Sequence, residues 1–294
     1  MKNILNIIKD SNYSLYIFDQ KLIDELESKI TFKDSKPYVV CAIRDKEIVL
    51  KPEEVVRQLF VMKLMKEYGY PKKLIKFEVN IRFGREVGIK RADIAVYKED
   101  LKQEHILIEV KKPNAKDGLE QLKGYSHATG APILVLTDGI FQYNLYITEP
   151  YNFEDLPDIP KYHETVEDIR KKKITYSDLE EPYNLKKIIL DLENAVLAHA
   201  GVNGFDEIFK LIYAKLYDEI KTPKNDNRRF RIIAGTTNQE IKDQIARLFN
   251  DAKEEWRDIF KPSDEIEIPN NAIAPAISLL AKYRFFGTNL SIID

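Results

Sequence analysis

With 294 residues, 44% hydrophobic and 32% charged, the chain has the composition of a soluble globular protein and a length that suits two domains better than one. Its formal net charge of -2 neither demands nor excludes a nucleic-acid partner, because local cations and a metal can hold phosphates on a chain that is not basic overall. The single cysteine, Cys41, excludes an internal disulfide.

The first ten residues lack the apolar core and small-residue cleavage site of a signal peptide, and no apolar run approaches the roughly 20 residues that span a bilayer. A cytoplasmic protein without membrane attachment is expected. Pro37 to Lys51 reads as a β-hairpin with its turn at Arg44-Asp45-Lys46-Glu47, and Cys41 as a small buried strand residue in it. Pro52 then opens a helix, with Glu53 and Glu54 in the first turn at the positive end of the dipole. Val56, Leu59, Phe60, Leu64 and Tyr68 give it an apolar stripe, and Gly69 and Pro71 end it.

Three strands are expected next, at Leu74 to Phe83, Arg91 to Tyr97 and His105 to Lys111, with Phe83 to Gly88 as the turn between the first two. Ile106-Leu107-Ile108-Glu109-Val110 is apolar on both faces until the carboxylate, the pattern of a covered central strand. Lys116 to Thr129 reads as a helix, Pro132 to Thr137 as a buried strand, and Asp138-Gly139 as a turn into Ile140 to Ile147. The Pro- and acid-rich stretch Glu149 to Pro160 is the expected boundary. Helical patterns follow at Leu185 to Ala200, Phe205 to Ile220, Asn238 to Phe260 and Asn271 to Tyr283, and Lys221 to Arg231 reads as an exposed basic loop. The domains are therefore placed at 1–155 and 161–294.

The chemistry-bearing residues lie on the three-strand region. Alternation along a strand sends Glu109 and Lys111 to one face and Val110 to the other. If the Asp93 strand pairs alongside, two carboxylates converge, a donor set that suits Mg²⁺ with several retained waters, and the Val110 carbonyl is a candidate further ligand. An ammonium group beside such a cation can orient a water or stabilise charge on a phosphate. The competing reading is a strand-end ion pair on a solvated edge. Neither the four scattered histidines nor Cys41 makes a zinc spacing. Phe83-Gly84-Arg85-Glu86-Val87-Gly88 lacks the Gly-Lys-Ser/Thr of a phosphate loop, and Arg85, Lys90 and Arg91 are equally well read as a solvated basic turn.

Through Cys41-Ala42-Ile43-Arg44-Asp45-Lys46-Glu47-Ile48, Pro52-Glu53-Glu54-Val55-Val56-Arg57-Gln58, Arg91-Ala92-Asp93-Ile94, Ile108-Glu109-Val110-Lys111-Lys112-Pro113 and Gln121-Leu122-Lys123-Gly124-Tyr125, the stretch from about Pro37 to Ile147 resembles the PD-(D/E)xK nuclease superfamily. More closely it is similar to the N-terminal endonuclease domain of type I restriction enzyme R subunits and of fused restriction-modification enzymes. The resemblance implies an α/β (α+β) restriction-endonuclease-like fold with a central mixed sheet, followed here by an all-α connector. It implies that Asp93 and Glu109 bind Mg²⁺, with Mn²⁺ as substitute, that Lys111 serves the attacking water, and that Gln121 supports the site. Tyr125, with Lys112 and Arg91, would contact DNA. Glu54 is the best match to a metal-binding glutamate of the preceding helix and Glu53 a weaker one; alternatively Glu54 pairs with Arg57 or supports the helix start. Ala92 stands where the family's naming proline would be.

The second half is similar to the helical region that precedes an adenine methyltransferase domain, although no Asn-Pro-Pro-Tyr/Phe tetrapeptide or Walker motif occurs in the chain. The implied activity is cleavage of double-stranded DNA in a type I or fused type II restriction system. Methyltransferase and target-recognition modules would lie in the same longer polypeptide, and copies would pair for double-strand cleavage. A repair nuclease, a junction resolvase or a non-catalytic DNA- or partner-binding module of the same fold are the alternatives.

Overall fold

Residues 4–8, 15–83, 86–111, 119–149, 152–182, 185–193, 197 and 200–287 are described in a computed structural model, without the side chains of 82–83, 86–89 and 119–121. The chain divides into two units, Met1–Phe153 with Ile159–Val166, and Glu154–Asp158 with Glu167–Asp294.

In the first unit two short helices come first, α1 (Ile4–Ile8) and α2 (Gln20–Ser28), the latter started by Asp19, whose carboxylate accepts the Lys21 amide. The expected hairpin forms as β2 (Lys36–Val40) on β3 (Glu47–Val49), and an additional strand, β1 (Thr31–Lys33), pairs with β2. Cys41 is buried as expected but lies just past β2, where its amide donates to the Lys46 carbonyl and closes the turn. Pro52 opens α3 (Pro52–Lys66), which buries Val56, Leu59, Phe60 and Leu64 from the expected stripe.

The main sheet runs in the order β4 (Ile75–Phe83), β5 (Glu86–Tyr97), β6 (Glu104–Val110), β7 (Ile133–Thr137), β8 (Gln142–Glu149) and β9 (Asn152–Leu156). It is mixed: β6 and β7 are parallel, and β5 on β6 and β7 on β8 are antiparallel. A parallel pair needs a crossover, and α4 (Leu119–Thr129) supplies it. Ile106, Leu107 and Ile108 are fully buried, each side chain contributing about 1.5–3 kcal/mol of hydrophobic stabilisation. One expectation about this sheet is corrected. Residues from Glu86 belong to β5 rather than to a turn, since strand pairing continues to Phe83 and Glu86. The boundary stretch contains β9, whose Asp155 also bridges to Thr236.

The second unit is helical, with α5 (Val166–Lys171), α6 (Leu185–Leu192), α7 (Gly204–Lys221), α8 (Asn238–Glu255) and α9 (Asn270–Ala281). Thr237 and Glu240 form a capping box at the start of α8. That helix stops at Glu255 rather than Phe260, and Trp256 instead makes edge contacts with Tyr213 and Tyr217 of α7. The region 221–231 is not an exposed loop throughout, for Arg228 and Phe230 are buried. No described helix is long and apolar enough to cross a membrane.

Candidate active site

Adjacent strands bring the two sequence-selected acids together. Ile94 stands opposite Ile108 and Ala95 opposite Leu107. Continuing that register by one residue puts Asp93 opposite Glu109, and cross-strand partners share a face. The Val110 amide donates to Asp93 Oδ2 at 2.8 Å, which ties the aspartate to the end of β6. Lys111 lies one residue past β6, yet its amide still donates to the Thr137 carbonyl at 2.8 Å, so the strand alternation carries through it. Its Nζ is 2.9 Å from Glu109 Oε1.

Glu109 is 5% exposed. Burial, reinforced by the neighbouring Asp93 charge and opposed by Lys111, pushes its pKa up to about 7. Two carboxylates held side by side in a poorly solvated place favour a proton or a cation between them.

Helix α3 contributes a second group of side chains to the same place. Glu53, Glu54, Arg57 and Gln58 stand at three- and four-residue spacing and therefore on one helix face. Arg57, 8% exposed, donates to Asp93 Oδ1 at 2.6 Å, to Glu54 Oε2 at 2.5 Å and to Glu53 Oε1 at 2.9 Å. Burial works against its charge, but Asp93 and Glu54 more than offset this, and its pKa is raised. Glu54 Oε1 accepts from Gln58 Nε2 at 2.8 Å, and Gln58 Oε1 accepts the Ala42 amide at 2.9 Å. Glu54 thus reaches Asp93 through Arg57, the pairing that the sequence offers as the alternative to metal binding.

The remaining selected residues are placed differently. Arg91 is exposed, and its Nε donates to Asn80 Oδ1 at 3.0 Å. Tyr125 on α4 is 1% exposed, so its ring lies in the interior rather than on an open surface. Gln121 belongs to α4, but its side chain lies outside the described residues, as do Lys112 and Arg85 altogether.

Two participants have no separate motif in the sequence. Arg57 is legible only as a local partner of Glu54, because its contact with Asp93 spans 36 residues. Glu78 falls beside Asp93 in the β4–β5 register, holds a φ of 50° and pairs with Arg44 Nη2 at 2.7 Å. A non-glycine residue in the left-handed region within a strand is a locally strained position. Nothing in the sequence marks it.

Carboxylate oxygens are the donors that a hard divalent cation takes. Here only two carboxylates stand side by side, and among the described residues no group of three or more His, Cys, Asp or Glu stands in metal-holding geometry. Asp93 and Glu109 with a main-chain carbonyl would supply few protein ligands and leave the rest to water, the habit of Mg²⁺.

A mixed sheet with α4 as its parallel crossover, and two acids and a lysine at the ends of its middle strands, define a restriction-endonuclease-like α+β unit. Residues 52–160 match the family model of the type I restriction enzyme R protein N terminus (HSDR_N), and this stretch is a restriction-enzyme nuclease-like region. No curated protein matches the chain.

Proposed function

We propose that the first unit is a divalent-metal-dependent DNA endonuclease, the cleaving part of a restriction-modification enzyme. One observation carries this reading: Asp93 and Glu109 at opposed register positions, with the Lys111 ammonium 2.9 Å from Glu109. Asp93 and Glu109, with the Val110 carbonyl, would hold the cation. When bound, Mg²⁺ or Mn²⁺ supplies Lewis-acid polarisation of the phosphate and a more acidic water. Lys111 orients the attacking water and stabilises charge building on the phosphate oxygens. Gln121 supports the site and Arg91 and Lys112 are the proposed DNA contacts, whereas the buried Tyr125 packs inside the unit instead of reaching DNA.

The domain assignments 1–155 and 161–294, a cytoplasmic location, and sequence selection by methyltransferase and target-recognition modules in a longer polypeptide belong to the same reading. Double-strand cleavage needs two such centres, so two copies would pair. The isolated chain would then cut poorly or without sequence preference. Supercoiled plasmid incubated with Mg²⁺ or Mn²⁺ tests this: nicking is expected from the native chain and not from Asp93→Ala or Lys111→Ala, and equal nicking by all three removes the assignment.

A second reading has its own support. The Arg57 guanidinium already compensates Asp93, Glu54 and Glu53, as in a domain that keeps the fold for binding alone. Under that reading Mg²⁺ neither binds nor stabilises the chain, and calorimetric titration with Mg²⁺ separates the two.

A further inference from the structure

The helical unit holds a cationic cavity lined by residues of that unit alone. Segment 221–231 folds inward after α7, fixed by Asp218, whose carboxylate accepts the amides of Arg229 and Phe230 at 3.0 Å and the Thr222 hydroxyl at 2.7 Å. The Arg228 guanidinium, 2% exposed, donates to the carbonyls of Asp218, Thr222, Pro223 and Asp226. Between this segment, residues 172–179 and the C-terminal end of α9 lies a cavity of about 350 Å³. Lys172, Lys173, Arg228, Arg231 and Lys282 line it, against one carboxylate among its lining residues, Asp178.

The two arginines of this lining, Arg228 and Arg231, have no ion-pair partner among the described residues, and the Nε of each is buried without a hydrogen-bond partner there. The Arg231 guanidinium donates to the Lys172 carbonyl at 3.2 Å. Burial pushes its pKa below the ordinary arginine value, with Asp218 opposing. Asp178 works against an anion, but its Oδ2 accepts the Thr175 amide at 2.7 Å and the Thr175 hydroxyl at 2.8 Å, and so closes a capping box. Desolvated guanidinium groups without an ion-pair contact are costly, and a bound anion relieves that cost. The planar fork of arginine matches phosphate oxygens. Leu179, Phe230 and Ile232 give the same cavity an apolar side, and its volume lies at the small end of the roughly 300–1,000 Å³ range of small-molecule sites.

We propose that this cavity binds a phosphate group carried on an organic body of nucleotide size, with Lys172, Lys173 and Arg231 as its anion contacts. The phosphate belongs either to a free nucleotide or to the end of a nucleic-acid strand. The site does not depend on the nuclease reading.

Calorimetric titration of the full chain in EDTA with ADP, and separately with a 5′-phosphorylated single-stranded oligonucleotide, tests the proposal. One or both bind the native chain. Lys173→Ala, a change at an exposed residue, and Arg231→Gln each weaken that binding about tenfold, the scale of one lost charge-assisted contact. Asp93→Ala leaves it unchanged. Binding of ADP identifies a free nucleotide as the source; binding of the oligonucleotide alone identifies a strand end. Failure of both probes to bind at millimolar concentration, or equal affinity in the native chain and in folded Lys173→Ala and Arg231→Gln proteins, overturns the proposal.

Discussion

Arg57 Nη2 donates to Asp93 Oδ1 at 2.6 Å, so a guanidinium from α3 holds the aspartate proposed as a metal ligand. The same side chain binds Glu53 and Glu54. It therefore organises the acids of the site before any substrate arrives, and a divalent cation at Asp93 would share that carboxylate with it.

Removing this guanidinium should leave Asp93, Glu54 and Glu53 without their common partner. For Arg57→Ala a loss of about 3 kcal/mol of stability is expected, the low end for breaking a buried pair because Glu53 retains access to water. Mg²⁺ should recover more melting temperature in this variant than in the native chain, since it replaces the lost charge. Thermal melts with and without Mg²⁺ check this, and an identical Mg²⁺ increment in both proteins would count against a shared site.

Asp93→Asn retains a side-chain oxygen for the Val110 amide but loses the charge, so the fold should persist while nicking falls by about 10² to 10³-fold. Lys111→Ala should lower nicking on a similar scale without weakening Mg²⁺ binding, because its ammonium contacts Glu109 rather than supplying a ligand. Plasmid nicking and Mg²⁺ calorimetry on the same preparations distinguish the two effects. Loss of Mg²⁺ binding in Lys111→Ala would contradict the role given to that residue.

In the helical unit, Lys215 Nζ lies 3.0 Å from Glu219 Oε1, with both side chains buried. Burial lowers the Lys215 pKa while Glu219 supports its charge. Glu219 also accepts the amides of Phe285 and Phe286. The two truncations should therefore differ: Glu219→Ala strands a buried ammonium and costs about 3–5 kcal/mol, whereas Lys215→Met leaves the carboxylate its two amides and costs less. Denaturant unfolding of both variants gives the order, and a larger loss for Lys215→Met would reverse the account.

The capping box on α8 makes a pH prediction. The Thr237 amide and hydroxyl both bond Glu240 Oε2 and hold its carboxyl below the ordinary 4.5. A folded pKa below the unfolded one gives stability that is present above pH 4.5 and lost as pH falls through the folded value. Thr237→Ala removes the hydroxyl and keeps the amide, so Glu240 should titrate part of the way back toward 4.5. Carboxyl-carbon NMR titration reads this directly, and an unchanged curve would show that the hydroxyl contributes nothing.

Much of this protein is written locally. Pro52 with two glutamates behind it starts a helix wherever it sits, an apolar run of β-branched residues makes β6 a covered strand, and alternation alone puts Glu109 and Lys111 on one face. Those signals need only neighbours within a few residues, so helices α3, α4 and α6 to α9, the central strands and the shared face of Glu109 and Lys111 were legible from the chain, while α1, α2 and α5 were not. Strands β1 and β9 were not, because each is short and polar in part, so neither carries a run of apolar alternation. The inward fold of Arg228 and Phe230 was hidden for a related reason: the basic composition of 221–231 suggests solvent, while Asp218 and a ring of carbonyls supply the polar partners that let it bury.

The sequence by itself determined which residue types stand on which strand and helix faces, since those follow from periods of 2 and 3.6 residues. Only the tertiary structure decided that Asp93 faces Glu109, that Arg57 reaches across to Asp93, and that five cations surround one cavity. Each of those depends on a ladder register or a packing contact between segments far apart in the chain, and a register displaced by one residue would send every side chain of the strand to the other face.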